Sequence, residues 1–361
     1  MKGSSLDIAL LRLRNQCLAG TPFESPADVV HWLGAVQAQD YLGALWAIGL
    51  RLPHATEADV EQAIRAKAIV RTWPQRGTLH FVASRDVRWM LSLLTPRMIA
   101  GSSGRYRQLE LSEVDFSRAR DLFVQALQGG NQLTRPEMYR VLELGKIATT
   151  GQRGIHILGH LAQSGLICFG PRRGKQHTFT LLEEWLPPAG SMPRDEALAE
   201  LTRRYFASHG PATLRDFAWW SGLTAQDARA GIDSTRSQLV QHVIDGTTYW
   251  FSDASYSGKK TKAATHLLPA FDEYTVGYKD RSAILDPQFA SRLNAGGGML
   301  RPVSVVDARV VGTWKRSFKK NAVVVTAAPF IPHPGATRTL SAAAKRYGNF
   351  LQMPVSLTME G

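Results

Sequence analysis

IVRTWPQRGTLHFVA, residues 69–83, is the stretch that decides the fold. Ile69–Trp73 and Thr78–Val82 are rich in β-branched and aromatic residues, and Pro74-Gln75-Arg76-Gly77 between them reads as a turn, so the segment is a β-hairpin. What precedes it has a different period. SLDIALLRLRNQCLA, residues 5–19, repeats its apolar residues at helical spacing, and Ser25 before Pro26 is a helix start. Two or three short helices followed by a hairpin is the element order of a winged helix.

The order recurs twice. Helices are expected at Phe116–Gln128, Arg135–Leu144 and Gly154–Gln163, then strands Leu166–Phe169 and His177–Leu181 around the basic turn GPRRGKQ. Helices are expected again at Asp195–Ala207, Thr213–Ser221 and Thr224–Ile232, then strands Leu239–Ile244 and Thr247–Phe251 around Asp245-Gly246, a strong hairpin signal. From residue 262 short β-rich runs dominate (LLPAFDEYTVGY, PVSVVDARVVGTWKRS, NAVVVTAAPFI, MPVSLTM), interrupted by one helix at Thr339–Leu351. The fold class is therefore α+β. The expected division is 1–110, 111–190 and 191–261 for three tandem winged-helix modules curved around a DNA-binding channel, and 262–361 for a barrel-like β-rich domain. The glycine run at 294–298 is expected as a flexible loop.

Composition excludes several classes. The longest apolar run, Ala322 to Ile331, is broken by Thr326 and Pro329 and falls well short of the roughly 20 residues that span a bilayer, so no membrane role is expected. The N-terminus lacks the apolar core of a secretory signal, which points to the cytoplasm and, for a DNA partner, the nucleoid. Cys17 and Cys168 support neither a disulfide scaffold nor a zinc site, and none of the histidines shows ligand spacing, so no metal and no cofactor are expected. The 43 basic against 30 acidic residues, net +13, favour a polyanionic partner. The excess is local: Arg140, Lys146, Arg153, Arg172, Arg173 and Lys175 face only Glu143, and Arg301, Arg309, Lys315, Arg316, Lys319 and Lys320 face only Asp307. Both clusters end in turns, as basic loop tips reaching for a nucleic-acid backbone would.

VQAQD, residues 36–40, places two amides two positions apart. On a helix, residues at i and i+2 diverge by about 200°, so Gln37 and Gln39 cooperate only if the segment is extended or turn-like. Gly34-Ala35 just before it supplies a break. Asp40 has two readings, a general base oriented by the glutamines or the N-cap of a helix starting near Leu42; the cap is the commoner role. In the first hairpin Arg71 and Arg76 are candidate DNA contacts, and His80 either faces the site or is a satisfied half-buried residue. Trp73 and Phe81 read as packing.

With these residues assembled, the chain resembles the winged-helix DNA glycosylases of the AlkZ and YcaQ (AlkX) type. The matching segments are VQAQD, VRTWPQRGTLHFV at 70–82, LLPAFDEYTVGYKDRS at 267–282 and VVDARVVGTW at 305–314. The resemblance implies a catalytic Gln-apolar-Gln motif at Gln37 and Gln39, with Ala38 smaller than the usual middle residue. It implies hydrolysis of the N-glycosidic bond of alkylated purines in double-stranded DNA, including bulky adducts or crosslinks in some members. An amide cannot remove a proton at neutral pH, but an N3- or N7-alkylated purine is already cationic and leaves unaided, so holding a water at C1′ suffices. No lysine flanks the motif, so a Schiff-base step is not expected. The same resemblance puts Asp272-Glu273 in a structural segment, where they bind an Arg or cap a turn. Backbone contacts are expected from Arg172, Arg173 and Lys175 and from TWKRSFKKN at 313–321, through Lys315, Arg316, Lys319 and Lys320, with Phe318 as a wedge at a base step. The runner-up is a non-catalytic winged-helix DNA-binding protein, a regulator or lesion binder. Against it, the third helices GIHILGHLAQSG and TAQDARAGIDS carry few base-reading residues. A monomer is expected.

Overall fold

The computed structural model describes residues 7–20, 23–188, 190–252, 265–331 and 335–360. The chain divides into two compact units, Glu61–Leu198 on one side and Met1–Val60 with Ala199–Gly361 on the other. The N-terminal 60 residues thus belong with the C-terminal part, a grouping coarser than four consecutive modules. The expected boundary at 261–262 and the first two residues of the 5–19 helix lie outside the described residues.

Within 61–198, Ile69–Gln75 and Thr78–Ala83 pair antiparallel, with Arg71 opposite Phe81 and Thr72 opposite His80. The turn is shorter than the sequence suggests. Arg76 and Gly77, at φ 53° and 68°, form a two-residue turn of the kind whose twist matches the strands. Pro74 lies inside the strand instead. It has no N–H for the ladder, and the register shifts between Thr72 and Gln75 accordingly. The second hairpin, Ile167–Phe169 with Thr178–Leu181, joins the first through Arg71 opposite Phe169. Both hairpins therefore share one sheet, ordered Thr78–Ala83, Ile69–Gln75, Ile167–Phe169, Thr178–Leu181, Leu133–Thr134. Its core takes Phe116 and Phe123 from the helix Glu113–Leu127, Met138 and Leu142 from Arg135–Leu144, and Ile157 and Leu161 from Arg153–Gln163. The helix Val87–Gly101, with Pro96 inside it, has no counterpart in the sequence reading.

In the other unit, the helices Leu214–Ser221 and Ala225–Ser234 precede the hairpin Leu239–Ile244 with Thr247–Ser252, which turns at Asp245 and Gly246 with φ 48° and 74°. The C-terminal strands form an open five-stranded sheet, ordered Val355–Met359, Val323–Pro329, Arg309–Phe318, Val303–Val306, Thr265–Leu268. This corrects the barrel expectation: among the described residues no closed barrel forms. The last strand returns parallel to Val323–Pro329 after the helix Ala336–Leu351, so it ends on the far edge from Thr265–Leu268. Tyr347 and Phe350 of that helix each lie 5.0 Å from the Trp46 ring. The glycine run is a tight hairpin, with Gly296, Gly297 and Gly298 all at positive φ.

His266, on the Thr265–Leu268 strand, is 2% exposed, and neither ring nitrogen has a hydrogen-bond partner among the described residues. Burial, with Arg346 and Arg51 nearby, pushes its pKa down from 6.5 to about 4. A folded-state pKa below the unfolded value means stability that is complete above pH 6.5 and is lost as pH falls toward 4. Urea denaturation is expected to show this group costing about 2–3 kcal/mol between neutral pH and pH 4.5. His266→Leu should remove that part of the acid sensitivity; an unchanged pH profile in the variant would refute the assignment.

Candidate active site

The VQAQD segment is framed by two helices. Pro26–Leu33 starts at Ser25, whose hydroxyl accepts from the Asp28 N–H, and ends at Gly34 with φ 79°. Only glycine is comfortable there: a Cβ would also lie 3.1 Å from the Trp220 ring. The chain then runs extended through Val36–Gln37, and the next helix is Tyr41–Gly49. Residues 36–39 are therefore not helical, which meets the geometric condition for the two amides to work together. Gln37 is 8% exposed, Ala38 is fully buried and Gln39 is exposed.

Asp40 is the N-cap. Its Oδ1 accepts from the Gly43 N–H at 3.1 Å, one residue earlier than the expected helix start near Leu42. The same carboxylate also receives Arg316, whose Nη2 lies 2.9 and 3.0 Å from its two oxygens. Arg316 projects from the strand Arg309–Phe318, so the segment following the glutamines is tied to the C-terminal sheet.

A buried polar network anchors the preceding end. Asp272 and Glu273 are both fully buried. Asp272 binds Arg51 through two 2.8 Å contacts and accepts from the Tyr274 N–H at 2.9 Å, so it both pairs an arginine and caps a turn. Arg51 uses its other donors on Gln16 O, Ala47 O and Gln16 Oε1, which satisfies all five. Burial opposes the Arg51 charge, yet Asp272, with Glu273 and Cys17 adding to it, outweighs burial and the pKa is raised. Glu273 instead collects neutral donors. Its Oε1 accepts from the Gln37 main-chain N–H at 3.3 Å, and its Oε2 accepts from Trp220 Nε1 at 2.8 Å and from His209 Nε2 at 3.3 Å. Burial holds His209 below its ordinary pKa despite Glu273 beside it, so the ring is neutral at pH 7. With the proton on Nε2, Nδ1 faces the Ser208 hydroxyl at 2.8 Å. Gln16 Nε2 donates to the Glu273 carbonyl and to Tyr278 Oη, and Tyr278 donates to His209 O.

The structure distributes the DNA-contact candidates unevenly. Arg71 is buried, 4.8 Å over the Phe169 ring, and Arg76 is half-buried at the turn. His80 is buried; its Nδ1 lies 2.9 Å from Thr78 O and its Nε2 3.2 Å from Gln75 Nε2, so Nδ1 carries the proton and Nε2 accepts. Arg172 pairs with Glu61, Arg173 with Glu137 at 3.0 Å, and Lys175 is exposed at the tip. In the C-terminal sheet Lys315 pairs with Glu360 at 3.0 Å, Lys319 and Lys320 are exposed at the hairpin tip, and Phe318 beside them is 48% exposed. Trp73 packs on Phe169 at 5.1 Å. Burial raises Cys17 to about 11 and pushes Cys168 up as well, so neither is a ready nucleophile. Among the described residues no cluster of His, Cys, Asp and Glu could hold a metal ion, and no helix is long and apolar enough to cross a membrane.

The sequence profile of the DNA glycosylase AlkZ-like family matches residues 30–350. The chain belongs to this family. It is 29% identical to an interstrand DNA cross-link repair glycosylase of Streptomyces sahachiroi, over 87% of this chain and 88% of that protein. The solved structure of the Streptomyces sahachiroi DNA glycosylase AlkZ superposes with a TM-score of 0.82 at 25% identity, covering 99% of this chain and 100% of that one. The matched span contains Gln37, Gln39, Arg51, Trp220 and Glu273. Gln16 lies before it, although Gln16 holds both Arg51 and the Glu273 carbonyl.

Removing one partner of a buried ion pair strands the other. Arg51→Met is expected to cost about 3–5 kcal/mol in urea denaturation, and adding Asp272→Leu to recover a substantial part. A double variant no more stable than the single one would show that Asp272 is not left uncompensated.

Proposed function

We propose that this chain is a DNA glycosylase that hydrolyses the N-glycosidic bond of purines made cationic by alkylation at N7 or N3, including those in interstrand crosslinks. The supporting observation is the non-helical VQAQD segment, held at the Gln37 main chain by Glu273 and after Gln39 by the Asp40 cap. In this reading the C1′–N9 bond breaks with its electron pair going to the base, which leaves neutral. The sugar becomes an oxocarbenium ion, and water adds at C1′ and loses a proton to solvent. Gln37 and Gln39 accept hydrogen bonds from that water and aim its oxygen; no proton is removed by an amide. Asp40, engaged by Gly43 N–H and Arg316, serves as cap and anchor rather than as base.

The helix-hairpin units act as winged-helix modules on double-stranded DNA, with Lys175, Lys319 and Lys320 on phosphates and Phe318 at a base step. The exposed partners of Arg173 and Lys315 exchange for phosphate, while Arg172, paired with the buried Glu61, needs a larger rearrangement to reach one. The enzyme works as a monomer on nucleoid DNA and does not cleave the strand, because no lysine flanks the motif to form a Schiff base.

Base release from a duplex containing 7-methylguanine tests this. The Gln37→Ala/Gln39→Ala double variant is expected to slow single-turnover release about 100-fold or more with DNA affinity kept, the scale of losing preorganised oxygen contacts. Equal release by variant and wild type, after spontaneous depurination is subtracted, would remove the pair from the mechanism. No release by wild type from either 7-methylguanine or crosslinked duplexes would favour a non-catalytic DNA-binding protein.

A further inference from the structure

We propose that Glu273 is a positioning residue of this reaction: its buried carboxylate fixes the main chain of Gln37 and, through it, the direction of the amide pair. The inference rests on Gln37 and Gln39 as the water-holding pair and adds the group that holds them.

Three donors converge on the two carboxylate oxygens, from Gln37 N–H, Trp220 Nε1–H and His209 Nε2–H. Two of the three belong to packed rings that the fold brings close. A Cβ on Gly34 would press on the Trp220 ring, and one on Gly277 would lie 2.6 Å from His209 Cδ2, so both glycines leave the rings room to reach Glu273. The Glu273 carbonyl is itself held by Gln16 Nε2 at 3.2 Å. The third donor belongs to the candidate catalytic residue. Trp220 and His209 share Oε2, while Oε1 accepts from the Gln37 N–H, so satisfying this buried carboxylate and fixing the Gln37 main chain are one arrangement. Three residues downstream of Gln37 in the same run, Asp40 is pinned by Gly43 N–H and Arg316. The short stretch carrying both glutamines is thus held by a carboxylate contact at each end, one to its main chain and one from its own side chain.

The donor set makes the test specific. A main-chain N–H and an indole N–H cannot be reversed, whereas a neutral imidazole can present either face. In Glu273→Gln one oxygen becomes NH2, so one of the two fixed donors faces another donor. Removing the indole donor as well, in Glu273→Gln/Trp220→Phe, lets the amide turn its oxygen to Gln37 and its NH2 to the opposite tautomer of His209.

Single-turnover release of 7-methylguanine is expected to slow tenfold or more in Glu273→Gln, with duplex affinity within about threefold of wild type and faster hydrogen exchange at the Gln37 amide. The double variant should recover both rate and exchange protection despite its lost indole. Loss of structure alone would instead make the second substitution add to the first. If Glu273→Gln does not fold, Glu273→Asp, which keeps the charge but withdraws it by one methylene, should show the same slowing at constant affinity. A folded Glu273 variant releasing base at the wild-type rate, while Gln37→Ala does not, would overturn the inference and leave the amide mechanism standing. Wild-type release by Gln37→Ala would overturn the mechanism beneath it.

Discussion

Two adjacent carboxylates, Asp272 and Glu273, are buried without exposure to water, and the arrangement of the larger unit depends on how each is satisfied. Desolvating a carboxylate costs several kcal/mol, so each must collect strong partners. Asp272 meets a full charge, the two-pronged Arg51, which itself reaches back to Gln16 and Ala47. Glu273 accepts from the neutral donors of Gln37, Trp220 and His209. One short segment therefore gathers the helices carrying residues 12–16, 41–49 and 214–221 around it. The contact between Gln37 and Glu273 spans 236 residues of sequence, so the glutamine segment takes its place only once the distant parts of this unit have met.

The net charge of +13 looks different once its partners are placed. Arg172, Arg173, Lys315 and Arg316 all carry acidic partners. Exposed pairs such as Arg173 with Glu137 and Lys315 with Glu360 are worth about 0–1 kcal/mol, so a phosphate can displace the carboxylate at little cost. Arg316 and Asp40 are more sheltered, and Asp40 has a second obligation to Gly43 N–H. Two kinds of basic residue thus share one strand: Lys315 remains exchangeable, while Arg316 two-dimensionally fixes a helix cap through both oxygens of Asp40.

Local order was legible in the sequence because it rests on local chemistry. The hairpin at Asp245-Gly246, the helix Arg135–Leu144 and the caps at Ser25 and Thr213 follow from turn propensity, period and capping side chains. The demand that 36–39 be non-helical follows from side-chain geometry alone, whereas it is the resemblance that puts Asp272 on an arginine or a turn cap, and Asp272 does both. What was not legible depends on long-range pairing. Pro74 reads as a turn residue until the bulge that accommodates it is seen. The last strand pairs parallel to Val323–Pro329, and nothing local distinguishes that edge from one closing a barrel. Arg316 reads as one more basic tip residue, since its partner Asp40 is 276 residues away. By its sequence Glu273 reads with Asp272 as structural; its bond to Gln37 has no sequence signature, because the donor is a main-chain N–H.

That main-chain bond bears on how amides would suffice in the proposed mechanism. A carboxylate base draws a water toward itself with a full charge and tolerates some angular error. A neutral amide holds water by an ordinary hydrogen bond, worth about 0.5–1.5 kcal/mol net, and contributes chiefly by direction. Direction is lost when the backbone beneath it moves. A buried charge placed on the main chain, rather than on the amide, opposes that movement. Glu273 leaves the side chains neutral and adds a charge-assisted bond beneath one of them, where fully buried Ala38 and the Asp40 cap limit the remaining freedom. In the proposed mechanism the site's negative charge then serves orientation, and the reaction draws its driving force from the positive charge already on the damaged base.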